Sequence, residues 1–134
     1  MAGLYIDTSS LGRVLLAEPD SQAIRELIGR YDETWSSALI TIELRRLARR
    51  AALAVAADRM LASMQLHPIT DAAIERASRL DPVQVRTLDA IHLDAAVDLH
   101  GNGTITTVLT HDEQLRNACA HHRIPLATPD GPRR

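Results

Sequence analysis

Leu4-Tyr5-Ile6-Asp7-Thr8-Ser9, near the start of a 134-residue chain, is the stretch on which the reading of the fold turns. A short apolar run ends on an acid, and two hydroxyl residues then open a helical pattern through Leu11, Val14 and Leu15. A central strand of a parallel sheet, buried on both faces, reads as such an uninterrupted apolar run. In open α/β sheets, function gathers beyond the carboxyl ends of the strands, and Asp7 stands at that position. Thr8 and Ser9 can cap the helix or orient the carboxylate. Taken alone, Asp7 is more simply a turn residue or a helix cap. What changes that reading is the company it keeps further along.

Outward from this stretch, strands and helices alternate. The first helix reaches about Ala17 and breaks at Glu18-Pro19. Residues 21–31 form an amphipathic helix with Ile24, Leu27 and Ile28 inward, and 34–39 a second strand. Helices follow over 40–51 and 52–64, then a short strand over 66–69 whose Pro68 puts it at an edge or strand end. Thr70-Asp71 opens a helix ending near Leu80, and Asp81-Pro82 marks a loop running to Arg86. The remainder reads as a helix over 87–99, a β-branched strand over 104–109, a helix over 110–122, a last short strand over 125–128 and a frayed tail over 129–134. This alternation predicts an α/β fold with a mainly parallel sheet in a single domain spanning 1–134.

Composition narrows the function. The net charge of −2 gives no bulk attraction to nucleic acid, so any such binding needs a local basic patch. All 15 basic residues are arginine. The lack of lysine excludes a Walker-type nucleotide site and Schiff-base chemistry. Phe is absent, and Tyr5, Tyr31 and Trp35 are the only aromatics, which argues against a surface that stacks unpaired bases. The single cysteine, Cys119, argues against a disulfide framework and reads as a small buried hydrophobe in a reducing compartment. No signal-peptide pattern or membrane-spanning run is visible, so the expected location is cytoplasmic.

Three more acids open helices. Glu43 lies early in the third, Asp89 two residues after Thr87, and Asp112 two after Thr110. Each has a structural explanation: Thr87 and Thr110 are natural N-caps, and first-turn acids complement the helix dipole. Thr110-His111-Asp112-Glu113 matches a capping box with Glu113 as the returning carboxylate. A helical wheel with Leu88, Ile91, Ala95 and Leu99 as the buried stripe puts Asp89 on one border, beside His92 and Ala96. The same wheel sends Asp94 and Asp98 toward solvent. Acids that follow strands or open helices can converge at one edge of an α/β sheet, where their mutual repulsion calls for a cation. Hard oxygen donors favour Mg²⁺ or Mn²⁺, and a metal-assisted phosphodiesterase is the chemistry such a set would suit.

The segments Tyr5-Ile6-Asp7-Thr8-Ser9-Ser10-Leu11, Ile42-Glu43-Leu44, Leu88-Asp89-Ala90-Ile91-His92-Leu93 and Leu109-Thr110-His111-Asp112 resemble, in order, the four acidic motifs of the PIN-domain family. The small size resembles the VapC toxins of bacterial toxin–antitoxin pairs. The resemblance implies an α/β/α sandwich and an Mg²⁺- or Mn²⁺-dependent endoribonuclease acting on single-stranded or loop RNA through metal-activated water. It makes Asp7, Glu43, Asp89 and Asp112 the metal-binding catalytic acids and Ser9 and Thr110 their supporting hydroxyls. It also implies a cognate antitoxin partner and a homodimer. Asp94 stands where the family usually has a small or apolar residue, and His111 falls at a variable position.

Arg45, Arg46, Arg49 and Arg50 crowd the third helix. They are either a solvated face paired with acids, or, through Arg46 and Arg50 on the side of Glu43, a contact for RNA phosphates or an antitoxin peptide. The adjacent His121 and His122 make no zinc pattern. Two other readings stand beside the nuclease. One is a PIN-like module that binds RNA or protein without turnover. The other is an aspartyl-phosphate enzyme, against which the missing lysine and the serine at position 9 count.

Overall fold

The computed structural model describes residues 3–129; the remainder of the expected frayed tail, 130–134, lies outside the described residues. The elements are β1 (Gly3–Ile6), α1 (Thr8–Leu15), α2 (Ser21–Ile28), β2 (Glu33–Ser37), α3 (Leu39–Ala51), α4 (Ala54–Ala62), β3 (Gln65–His67), α5 (Asp71–Ser78), α6 (Thr87–Gly101), β4 (Ile105–Leu109) and α7 (Glu113–His121). The strands form one sheet in the order β3-β2-β1-β4, and every pairing is parallel.

The alternation of side chains along β1 organises the two cores. Leu4 and Ile6 point to one face, where Leu11, Val14, Ile24, Leu27, Ile40, Leu44 and Leu61 from α1–α4 cover them. Tyr5 points to the other, where Leu93, Ala96 and Leu99 of α6 and Leu115 and Ala118 of α7 enclose it. Successive strand residues face opposite sides, so a fully buried strand must be apolar at every position. Each such fully buried side chain contributes roughly 1.5–3 kcal/mol. The result is the expected α/β/α sandwich. Gly12 allows the close approach of α1 to α3: a Cβ there would sit 2.8 Å from Leu47 Cδ2.

The strand order also sets the place of function. From β1 the chain steps outward through β2 to β3, then returns to add β4 on the opposite side of β1. The reversal leaves a crevice beyond the carboxyl ends of β1 and β4, the topological switch point where open α/β sheets bind ligands.

The structure revises several sequence expectations. The expected strand over 125–128 is reduced to one bridge between Leu126 and Val108. Neither threonine caps its helix as expected: Thr87 is already helical after an Arg86 N-cap, and α7 begins at Glu113 with Asp112 as its N-cap. Glu113 is therefore a first-turn acid and not the far end of a capping box. Thr70 does cap α5, accepting from the Ala73 N–H. Cys119 is buried as expected, and burial pushes its thiol up to about 12.

The candidate active site

The site is built from loop ends on both sides of the β1/β4 crevice. Asp7 follows β1 and is only 4% exposed. It caps α1, so the cap reading holds, with Oδ1 accepting from the Ser10 N–H at 3.3 Å. The carboxylate does more than cap: Ser9 Oγ donates to Oδ1 at 2.7 Å and Thr110 Oγ1 donates to Oδ2 at 2.8 Å. Both hydroxyl protons are thereby committed, so the 3.1 Å approach of Ser9 Oγ to Thr110 Oγ1 has no hydrogen left to share. Ser9 Oγ instead accepts from the His111 N–H, and Thr110 Oγ1 accepts from the Asp112 N–H. The two hydroxyls expected as supports thus tie the loop after β4 to the acid after β1. Ser9 thus holds one oxygen of Asp7 in place, and among the described residues no histidine ring hydrogen-bonds its hydroxyl oxygen as a base would.

Asp89, in the first turn of α6, is half-buried. Burial raises its carboxyl above the ordinary range, and the neighbouring charges of Asp112 and Asp7 raise it further, against the opposing pull of His92 and Arg86. Burial likewise raises Asp7, partly offset by His92 and by the hydrogen bonds it accepts. Asp7 and Asp112 therefore both stand within electrostatic reach of Asp89. Asp112 caps α7 through the Leu115 N–H at 2.9 Å.

Glu43 is held differently. Its Oε1 accepts from Thr8 Oγ1 at 2.8 Å and lies 2.6 Å from His92 Nε2. Burial works against its charge, but His92 and then Thr8 outweigh that and hold the carboxyl below the ordinary range. An ionised Glu43 only accepts, so His92 Nε2 carries a proton toward it. His92 Nδ1 lies 2.7 Å from the Tyr5 hydroxyl, and Tyr5 Oη also accepts from the Ser37 N–H at 3.1 Å. Tyr5 is fully enclosed, and burial raises its phenol well above the ordinary value, so it keeps its proton. The direction of the Tyr5–Nδ1 hydrogen bond follows the charge of the imidazole, and in either case the contacts form a chain from Tyr5 through His92 to Glu43.

Sequence reading missed this chain. His92 lies inside the third acidic motif and was placed beside Asp89, but nothing in the sequence showed it reaching a residue 49 positions earlier. His111, given no role, puts Nδ1 2.6 Å from Ser10 Oγ and Nε2 3.3 Å from Asp20, which Arg13 also holds at 2.9 Å.

The expectation that Asp94 faces solvent is wrong. Asp94 is 4% exposed and receives both Arg76 Nε at 3.0 Å and Arg76 Nη2 at 3.1 Å. Leu88, placed in the buried stripe, is 53% exposed. The wheel failed because α6 lies against β2, β4, α5 and α7, so its middle turns have no wholly solvated face from which to orient it. Asp98 is exposed as expected, and it pairs with His67 at 2.7 Å.

The donor set suits a hard divalent cation: burial opposes the ionisation of Asp7 and Asp89, and neighbouring acids oppose that of Asp89 further, a cost that a bound cation offsets. Asp7, Asp89 and Asp112 would hold it, with Glu43 contributing through the oxygen that His92 and Thr8 leave free. As placed among the described residues, no three His, Cys, Asp or Glu side chains converge closely enough to hold a metal ion, so binding one would draw these carboxylates together.

Known proteins match this sequence over most of its length. The PIN domain family matches residues 4–121. Among curated Mycobacterium tuberculosis proteins, Ribonuclease VapC46 is 32% identical over 120 residues, covering 88% of this chain and 91% of that protein. Ribonuclease VapC47 is 29% identical over 133 residues, covering 94% and 96%. Ribonuclease VapC35 is 30% identical over 131 residues, covering 94% and 96%.

Proposed function

This chain belongs to the PIN-domain family, and from that premise we propose that it is a VapC-type endoribonuclease, the toxin of a toxin–antitoxin pair, dependent on Mg²⁺ or Mn²⁺. The observation that carries the reading is the approach of Asp7 and Asp112 to Asp89 at the β1/β4 switch point, where burial opposes the ionisation of Asp7 and Asp89 and the neighbouring acids oppose that of Asp89 further. A fold tolerates such a grouping at a functional site more readily than elsewhere. The likeness to three proteins named as ribonucleases supports RNA as the substrate.

A bound divalent cation would supply Lewis acidity, making water a nucleophile near neutral pH and drawing charge from the phosphodiester. The chain's own groups set the stage. Ser9 and Thr110 aim the two oxygens of Asp7, and His92 and Thr8 keep Glu43 ionised and fixed. No side chain is needed as a covalent nucleophile. The partners that go with this reading are single-stranded or loop RNA, a cognate antitoxin protein that covers the acidic cleft, and a second copy of the chain. Exposed Ile74, Val83 and Leu88, on or near the α5–α6 connection, provide apolar surface that a protein partner could cover. RNA as substrate implies action in the cytoplasm, and no helix among the described residues is long and apolar enough to cross a membrane.

The test is cleavage of a mixed pool of structured cellular RNAs by purified, antitoxin-free protein in EDTA, Mg²⁺ or Mn²⁺, beside an Asp7→Asn control. Discrete fragments that need metal and vanish in the control are expected. A folded protein that cuts nothing with either metal would overturn the reading in favour of a PIN-like module that binds without turnover.

A further inference from the structure

An acidic cleft repels the polyanion it is meant to cut, and a net charge of −2 offers no general attraction to overcome that. Stacking cannot supply it either. Of the three aromatics, Tyr5 is fully enclosed and occupied by His92, and Tyr31 and Trp35 are half-buried. What remains is cationic side chain on the surface, and several arginines of this chain are already held by partners. Arg13 pairs with Asp20, Arg45 with Asp58, Arg76 with Asp94, and Arg79 with Glu75.

Arg46 and Arg50 are different. Both are exposed, and among the described residues neither makes an ion pair or hydrogen bond. They follow Glu43 by three and seven residues on α3. That spacing puts them about 4.5 and 10.5 Å along the axis from Glu43 and within about 60° of its face. From Glu43 the contact passes to His92, one turn after Asp89 on the same helix. Exposed Arg86, the N-cap residue of α6, then stands close enough to Asp89 for its charge to be felt there. Helix spacing and contacts thus connect these residues in the order Arg50, Arg46, Glu43, His92, Asp89, Arg86, with exposed arginines at both ends of the series and the acids Glu43 and Asp89 within it.

We propose that Arg46, Arg50 and Arg86 form a phosphate track that lays a single RNA strand across the acidic site, gripping its backbone on both sides of the cleavage position. This rests on the ribonuclease reading above. The contacts are to phosphate oxygens, which guanidinium forks match, so the track positions RNA without reading its sequence.

The test is the salt dependence of RNA binding. A short, fluorescently labelled single-stranded RNA of mixed sequence is titrated with the full, antitoxin-free chain in EDTA, which suppresses cleavage, at several salt concentrations. Each lost phosphate contact lowers the slope of log affinity against log salt by about 0.7 for a single strand. The triple variant R46Q/R50Q/R86Q is therefore expected to lose about 2 from the slope, and each single variant about 0.7. Arg79→Gln, whose guanidinium is paired to Glu75 on α5, is the control and should leave the slope unchanged. All are exposed-surface changes, and a thermal melt verifies folding. A wild type that cleaves RNA, with a slope that the triple variant does not alter, overturns the track alone. A wild type that neither binds nor cuts RNA overturns the ribonuclease reading and the track with it.

Discussion

Asp89 and Asp94 lie on the same helix, yet the fold surrounds them in opposite ways. Asp94 is enclosed and receives a two-pronged grip from Arg76, which also reaches Asp98 at 3.8 Å; His67 completes the cluster. Among the described residues, no hydrogen bond or ion pair reaches the Asp89 carboxylate, and its nearest influences include two further acids. One end of α6 thus spends its acids on fastening α5 to the sandwich. The other end leaves an acid opposed by burial and by like charge. Buried charge is normally paired, and where a fold leaves it unpaired at a topological switch point, the arrangement serves something outside the chain.

The comparison breaks most sharply at Asp89 itself. Asp89→Asn should lower metal-dependent RNA cleavage by at least about 100-fold, the scale of losing one preorganised electrostatic group. In EDTA its melting temperature should equal or exceed that of the wild type, because the substitution removes an opposed charge and no hydrogen bond. A marked loss of stability in a thermal melt would show that Asp89 is structural, like Asp94.

Arg76→Ala is the converse. It leaves Asp94 enclosed without its partner and should destabilise the chain by about 2 kcal/mol, discounted from the fully buried case because Arg76 itself is partly exposed. Cleavage at a temperature where the variant remains folded should stay within about threefold of wild type. Chemical denaturation and a parallel activity assay check both halves. A large activity loss in a folded protein would join the two ends of α6 into one functional unit.

His92 tests whether Glu43 belongs with the paired acids or with the site. His92→Ala should cost about 2 kcal/mol through two lost hydrogen bonds, one buried and one partly buried, and should also reduce cleavage, because Glu43 loses the donor that fixes it. Tyr5→Phe, one link further away, strands the Ser37 N–H and should cost about 1 kcal/mol with a smaller effect on cleavage. Equal activity losses from the two variants would mean that the chain acts through packing alone.

The smallest effect is in the pH dependence of stability without metal. Asp7 and Asp89 titrate above the ordinary carboxylate range when folded, so the folded chain holds protons that the unfolded chain has released. Their contribution to stability therefore falls as pH rises from the ordinary carboxylate value through the raised ones, and it stays low at neutral pH. Glu43 has the opposite sign: its contribution is present above the ordinary value and is lost as pH falls through its lowered one. The melting-temperature gap between Asp89→Asn and wild type, followed in EDTA, should widen as pH rises from strongly acidic toward neutral and then level off. A gap that narrows with rising pH would reverse the assigned direction for Asp89.

Much of the fold was legible because its signals are local. The apolar run of β1, the β-branched run of β4 and the helical spacing between them fixed an α/β alternation with boundaries off by a few residues. The four acids could be picked out because each ends a strand or opens a helix, and likeness to a family ordered them. The errors share a different cause. The wheel for α6 assumed a solvent side that packing on several flanks removes, and so it misplaced Leu88 and Asp94. The capping reading of Thr110 failed because its hydroxyl is claimed by Asp7, 103 residues earlier.

The sequence by itself determined which residues are acids, where strands stop and which segments are apolar enough to be enclosed, because propensity and periodicity act over a few residues. Only the tertiary structure decided which acids are neutralised and which are left charged together. That outcome depends on dielectric surroundings and on partners far outside any one helical turn: Arg76 for Asp94, His92 for Glu43, and Asp112 beside Asp89. Coulomb energy depends on distance in space and on burial, and neither is written in the order of the residues.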